Sequence, residues 1–209
     1  MNALSGLGLE DAIQSRIATA ALDERTRHVA IRSLLARVIF SALDMQCVGH
    51  LSLLPPQVTA FVTAMPMDTR IQQTSQEINA LASWRRLSTY LLHKDRLDRL
   101  PLPVPASIEG QIRDLHDALD GFLSIFVPKD GSGRARTSQA KSLERAIRAC
   151  AKFGYAVFSH PCEWRYLFGT GAELGNGLVV LPGLERWSGP DGEMYKAGHL
   201  VVRPMTEGI

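Results

Sequence analysis

The residues best equipped for chemistry stand in one short run near the C-terminal end, His160-Pro161-Cys162-Glu163, with His199 further along the chain. A thiol beside an imidazole is a nucleophile with its base, because the imidazole takes the proton and leaves the thiolate. The same three side chains, His160, Cys162 and His199, are also of the types that hold zinc, which prefers nitrogen and sulfur ligands. Neither use is compelled by the spacing. There are three cysteines, Cys47, Cys150 and Cys162, and no two stand in the C-x-x-C spacing of a zinc knuckle or redox centre. Free thiols in a reducing intracellular compartment, cytoplasm or nucleus, are the expectation, with no cofactor and no metal.

Other constellations fail at identifiable points. Pro161-Cys162 is half of a zinc deaminase element, but the second cysteine and the His-x-Glu pair are missing, which excludes that reaction. His116-Asp117 on a helical body invites comparison with the HD phosphohydrolases, whose arrangement also needs a later helical Asp. After Asp130 the only Asp is Asp191, inside an expected turn. Gly169-Thr170-Gly171 follows an expected strand, as a nucleotide loop would. What comes next is another apolar strand, so no helix N-terminus stands ready to hold a pyrophosphate.

Two surfaces suit binding better than catalysis. Lys141, Arg145, Arg148 and Lys152 recur at i, i+4, i+7 and i+11, which confines them to a stripe of about 60° on one helix. Arg134 and Arg136 come just before, so six basic residues face one acidic residue, Glu144, between positions 134 and 152. Such a stripe suits phosphates or an acidic protein patch, or else is a solvated face supported by Glu144 and Arg148. No aromatic side chain is interleaved, which argues against stacking on single-stranded nucleic acid. The second surface is aromatic. Trp164, Tyr166 and Phe168 alternate along one expected strand, with Trp187 as a further member, and form either a recognition platform or the layer that packs on the helices.

The elements that must position these groups follow from periodicity. Apolar residues recur every three to four positions in six stretches, giving expected helices over 9–22, 24–47, 56–65, 69–93, 107–126 and 137–154. The second is apolar nearly all round and is placed at the centre of the bundle. A charge-free run of 23 residues lies between Asp44 and Asp68. Pro55-Pro56 inside it would strand backbone carbonyls in lipid, so a buried hairpin is expected rather than a membrane span. After Gly154 the period changes to two. Eight of the fourteen Phe, Trp and Tyr and ten of the seventeen Gly fall in residues 153–209. Short strands are expected at 155–158, 164–168, 178–181 and 200–203, with Gly189-Pro190-Asp191-Gly192 as hairpin turn chemistry.

The fold expected is therefore α+β and mostly α, a five- or six-helix bundle followed by a small antiparallel sheet. It is one domain over residues 1–209, with a helical body at 9–153 and a β unit at 154–205 packed on it. At 45% hydrophobic, 21% charged and a net charge of +2, the chain is an ordinary soluble globular composition and compels no polyanionic partner. The functional expectation is a non-catalytic interaction or regulatory module that binds another protein through the basic stripe, the aromatic face or both. The alternatives are a small-molecule enzyme or binder with a pocket between bundle and sheet at His160, Cys162 and His199, and nucleic-acid binding through residues 134–152.

Overall fold

The computed structural model describes residues 9–45, 51–65, 75–93, 101–126, 134–169 and 177–209. Among these residues six α-helices come first: α1 (Asp11–Leu22), α2 (Arg27–Ser41), α3 (Pro56–Ala64), α4 (Ser75–Leu92), α5 (Glu109–Leu123) and α6 (Arg134–Ser159). Five strands follow: β1 (Trp164–Leu167), β2 (Gly177–Leu181), β3 (Gly183–Ser188), β4 (Met194–Val202) and β5 (Met205–Gly208). This is the α+β, mostly α, architecture expected. Cys47, Gly49, the charged stretch at 94–99, the start of the basic loop at 129–133 and the glycine loop at 170–176 lie outside the described residues.

The helices bury the faces their spacing dictates. On α5, Ile112, Leu115, Leu119 and Phe122 face inward and short 3-10 turns extend the helix at both ends. Helix α2 is the hub, in contact with α1, α5, α6 and β2. Val29, Ala30, Leu34, Val38 and Ile39 bury it on several sides. Pro56 sits in the first turn of α3, where its missing N–H costs nothing. Among the described residues no helix is long and apolar enough to cross a membrane.

Several boundaries differ from the sequence reading: α2 ends at Ser41, β3 and β5 are not among the expected strands, and β4 begins at Met194 rather than at 200. Helix α6 does not stop at Gly154, and residues 155–158 are helical rather than a strand. The 3.6 period continues through this point: Leu143, Ile147, Ala151, Tyr155 and Phe158 are all buried. Gly154 serves another purpose. A Cβ there would lie 2.6 Å from Leu43 Cδ2, so glycine lets the segment after α2 press directly on the α6 backbone. Gly121 of α5 is the reverse case, because a Cβ there would meet nothing within 4 Å.

The β unit is one long hairpin bent at its middle, with β1 added on one side. Strands β1, β3 and β4 form an antiparallel sheet in that order, and β2 pairs with β5. Pro182 separates β2 from β3, and Pro204 separates β4 from β5. Leu181 pairs with Met205 below these prolines and Leu184 with Val202 above them. Proline cannot donate to a ladder, so both arms break at the same level and the ribbon turns. Its tip is the expected turn, closed by Gly192 N–H to Gly189 O at 3.0 Å, with Gly192 at φ +88°. The tip docks on α4 through Arg86, whose Nη1 donates to Asp191 O at 3.0 Å. The positive φ is what favours glycine here, and a Cβ would also displace the Arg86 guanidinium, 1.1 Å away, from its bond to Asp191.

Candidate functional site

The junction between α6 and β1 is built around a side chain to which sequence reasoning gave no role. Arg85 lies on the inward face of α4 with Leu81, Ala82 and Thr89, and is 4% exposed. All three of its guanidinium nitrogens donate. Nε and Nη2 reach Glu163 Oε1 at 2.8 and 2.6 Å, Nη1 reaches the carbonyls of Phe158 and His160, and Nη2 reaches that of Cys162 at 3.1 Å. The last carbonyls of a helix have no partner within it and carry the negative end of its dipole. A guanidinium placed there satisfies several at once. Glu163 in turn is held to β3, its N–H donating to Ser188 Oγ at 2.8 Å and its carbonyl accepting from Trp187 N–H at 2.8 Å. The signal in the sequence was an arginine at a position whose helical neighbours are all inward.

His160 and Cys162 sit on this turn, where the imidazole is engaged and the thiol is buried. Cys162 N–H donates to His160 Nδ1 at 3.1 Å, and the imidazole meets Trp164 edge-on. Burial raises the Cys162 thiol above its ordinary pKa, away from thiolate. Burial, and then the Arg85 and Arg186 guanidiniums, lower the His160 imidazole. His199 lies on β4 opposite Arg186 and against the Tyr195 ring. Among the described residues no three His, Cys, Asp or Glu side chains converge as a metal set. The void at this junction is about 60 Å³, lined in part by Arg85, Glu163, Trp164 and Tyr166, and His160, Cys162 and His199 do not line it.

The basic stripe is partly spent on neighbours. Arg148 holds Glu109 Oε2 at 2.6 Å and Glu144 Oε1 at 2.8 Å, and Arg136 holds Asp120 at 3.3 Å. Lys141, Arg145 and Lys152 are exposed, with Arg145 Nη2 at 3.5 Å from Ser142 Oγ. Arg134 opens α6, and its side chain is outside what the structure describes.

The aromatic residues divide between two faces. Tyr166 packs on Phe40 of α2 at 5.2 Å and on Phe153 of α6 at 6.4 Å between ring centroids. It is thus a contact between layers. Trp187 is on the other face. Arg165 pairs with Glu185, so Trp187 shares their side of the sheet, with the Arg165 guanidinium 4.1 Å from its ring centroid. Phe168 lies beneath Arg37, 4.9 Å away, whose Nε and Nη2 are buried without a hydrogen-bond partner.

A much larger concave feature lies elsewhere, between α2, the end of α5, the first half of α6 and β2. This cavity of about 540 Å³ is walled by side chains such as Leu35, Phe40, Leu143 and Leu181. Among the described residues, only Arg32, Gln139 and Ser142 bring polar side chains to it. Arg32 also pairs with Glu207 of β5, tying the last strand to α2 beside the opening. A second apolar surface is convex. On α4, Ala80, Trp84, Leu87 and Leu91 fall at i, i+4, i+7 and i+11, away from the buried side. Leu87 is 63% exposed and Leu91 66%, and Phe61 of α3 stacks on Trp84 at 4.1 Å.

No protein-family model, curated protein or solved structure matches the chain.

Proposed function

We propose that the protein is a non-catalytic binding module whose ligand site is the apolar cavity between α2, α5, α6 and β2. The observation that supports this reading is the cavity's size and lining. At about 540 Å³ it falls in the range of small-molecule sites, roughly 300–1,000 Å³, which are mostly apolar with a few placed polar groups. The imidazoles of His160 and His199, by contrast, are turned to ring contacts with Trp164 and Tyr195, and the Cys162 thiol is buried. An intracellular setting belongs to the same proposal, since Cys150 and Cys162 are free. The test is titration with Nile red, an uncharged apolar dye. The native chain should bind it at one site, and Ala146→Trp, which places an indole in the cavity from an exposed lining position, should abolish that binding. Dye affinity unaltered by Ala146→Trp would reject the cavity as the site.

A second reading has its own support, the α4 stripe. Its 4-3-4 spacing is that of a helix-pairing seam. Gln76, Ser83 and Ser88 beside it carry no charge, and Glu77, at its N-terminal edge, is the one charged residue of α4 flanking it. We infer self-association of α4 with α4 of a second copy. Sedimentation equilibrium should give a dimer that Leu87→Glu with Leu91→Glu reduces to monomer. A wild-type chain that remains monomeric at high micromolar concentration would remove this reading.

A further inference from the structure

We propose that the cavity takes an amphiphile with a hydrocarbon body and a single anionic head, and that Arg32 receives the head in exchange for Glu207. This rests on the cavity being the ligand site and adds the class of ligand. Three observations carry it.

The first is the charge of the lining. Among the described residues that line it, Arg32 is the only ionic side chain and there is no carboxylate. A neutral apolar ligand needs no such group, whereas an anionic head needs one cation and gains from neutral donors nearby. Gln139 and Ser142 of α6 supply those donors, and Arg145 reaches the Ser142 hydroxyl at 3.5 Å from the outer side. The second observation is the pair Arg32 with Glu207. A guanidinium binds a carboxylate through a planar fork, and any carboxylate or phosphate of similar shape competes for it. Glu207 thus occupies the place that a ligand head would take. Both partners are partly exposed, so exchange costs little, as expected of surface ion pairs.

The third observation is where Glu207 sits. It belongs to β5, the free arm of the bent hairpin, which is hydrogen-bonded to β2 alone among the described residues. Leu181, which lines the cavity, is paired with Met205 of that same strand. An anion that displaces Glu207 therefore releases the tie between α2 and β5 beside the cavity wall.

The experiment is competition against Nile red on the full chain, using dodecanoate, dodecan-1-ol and dodecylamine below their aggregation limits. Dodecanoate should displace the dye at about tenfold lower concentration than dodecanol, and dodecylamine should be weakest. Arg32→Gln should erase the preference of acid over alcohol, and Arg32→Lys should restore part of it. Glu207→Gln should strengthen dodecanoate several-fold by removing the internal competitor. From octanoate to dodecanoate, affinity should rise about fourfold per methylene. Equal displacement by acid and alcohol, or a preference that survives Arg32→Gln, overturns the assignment of the head while leaving the cavity reading intact. Failure of Nile red and all three amphiphiles to bind overturns both. Thermal midpoints of the variants within a degree or two of wild type would show that the fold is not the cause.

Discussion

Helix α6 meets the β unit twice, and its two meetings are opposites. At its C-terminal end the contact is polar and saturated, with the Arg85 guanidinium spread over Glu163 and the carbonyls of Phe158, His160 and Cys162, and about 60 Å³ left over. In its first half the neighbouring contact is apolar and unfilled, about 540 Å³ bounded by α2, α5 and β2. Directional bonds fix one separation between layers. Apolar side chains only require proximity, so they tolerate a gap. The first meeting sets where the sheet stands, through Arg85 and Glu163 and through Arg86 and Asp191. The second leaves room for something else.

The sharpest way to break this comparison is to remove its polar half. Arg85→Met should lower unfolding free energy by about 3–5 kcal/mol, since it strands a partly buried carboxylate and several helix-end carbonyls. Urea unfolding measures it. Glu163→Gln should cost less, because the amide still offers an oxygen to the guanidinium. A loss at Arg85 no larger than that of an ordinary surface substitution would mean that packing alone seats the sheet.

Two glycines on the helices separate close packing from chance. Gly154→Ala forces a methyl group to within 2.6 Å of Leu43 and should cost about 1–3 kcal/mol. Leu43→Ala in the same chain should recover part of that cost, which a pure propensity effect would not allow. Gly121→Ala meets nothing within 4 Å and should stabilise by about 0.5–1 kcal/mol, the usual helix gain over glycine.

The same positions show what the sequence made legible. Inward faces of α2 and α5 and the Gly189–Gly192 turn were readable, because each is decided by local spacing or backbone chemistry. The end of α6 was not. Gly154 resembles a C-terminal stop, and only the approach of Leu43, more than a hundred residues away, shows that it is a contact. Arg85 was hidden for a related reason: its partners are backbone carbonyls, which every sequence has and none displays. The split of Tyr166 and Trp187 onto opposite faces depends on the register of β1 with β3. The cavity depends on four elements failing to close, and no stretch of residues encodes that by itself.

The polar junction should also give stability a pH dependence. Burial holds the Cys162 and Cys150 thiols above 9.0 in the folded chain, so on raising the pH the unfolded chain loses those protons first. Their contribution is whole below pH 9 and declines as pH rises through the folded values, with Tyr155, pushed up to about 12, adding to the decline above pH 10. His160 acts at the other end. Its folded value is below 6.5, so its contribution is whole above pH 6.5 and falls as pH drops towards the folded value. Urea midpoints across pH 5 to 10 should trace both limbs, and Cys162→Ala should flatten the alkaline one.

The smallest stability effect belongs to the apolar half, and it discriminates best. Ala146 lines the cavity yet is exposed, so Ala146→Trp should change unfolding free energy by no more than about 0.5 kcal/mol, as for most surface substitutions. Its effect on binding should be complete. That pairing of outcomes is what a cavity kept open for a ligand requires. A site that is merely loose packing would instead gain stability when filled, because the indole would restore contacts the walls lack. A rise of a kilocalorie or more with no bound dye to lose would make the gap a defect of packing, and the two ends of α6 would differ only in how well they are closed.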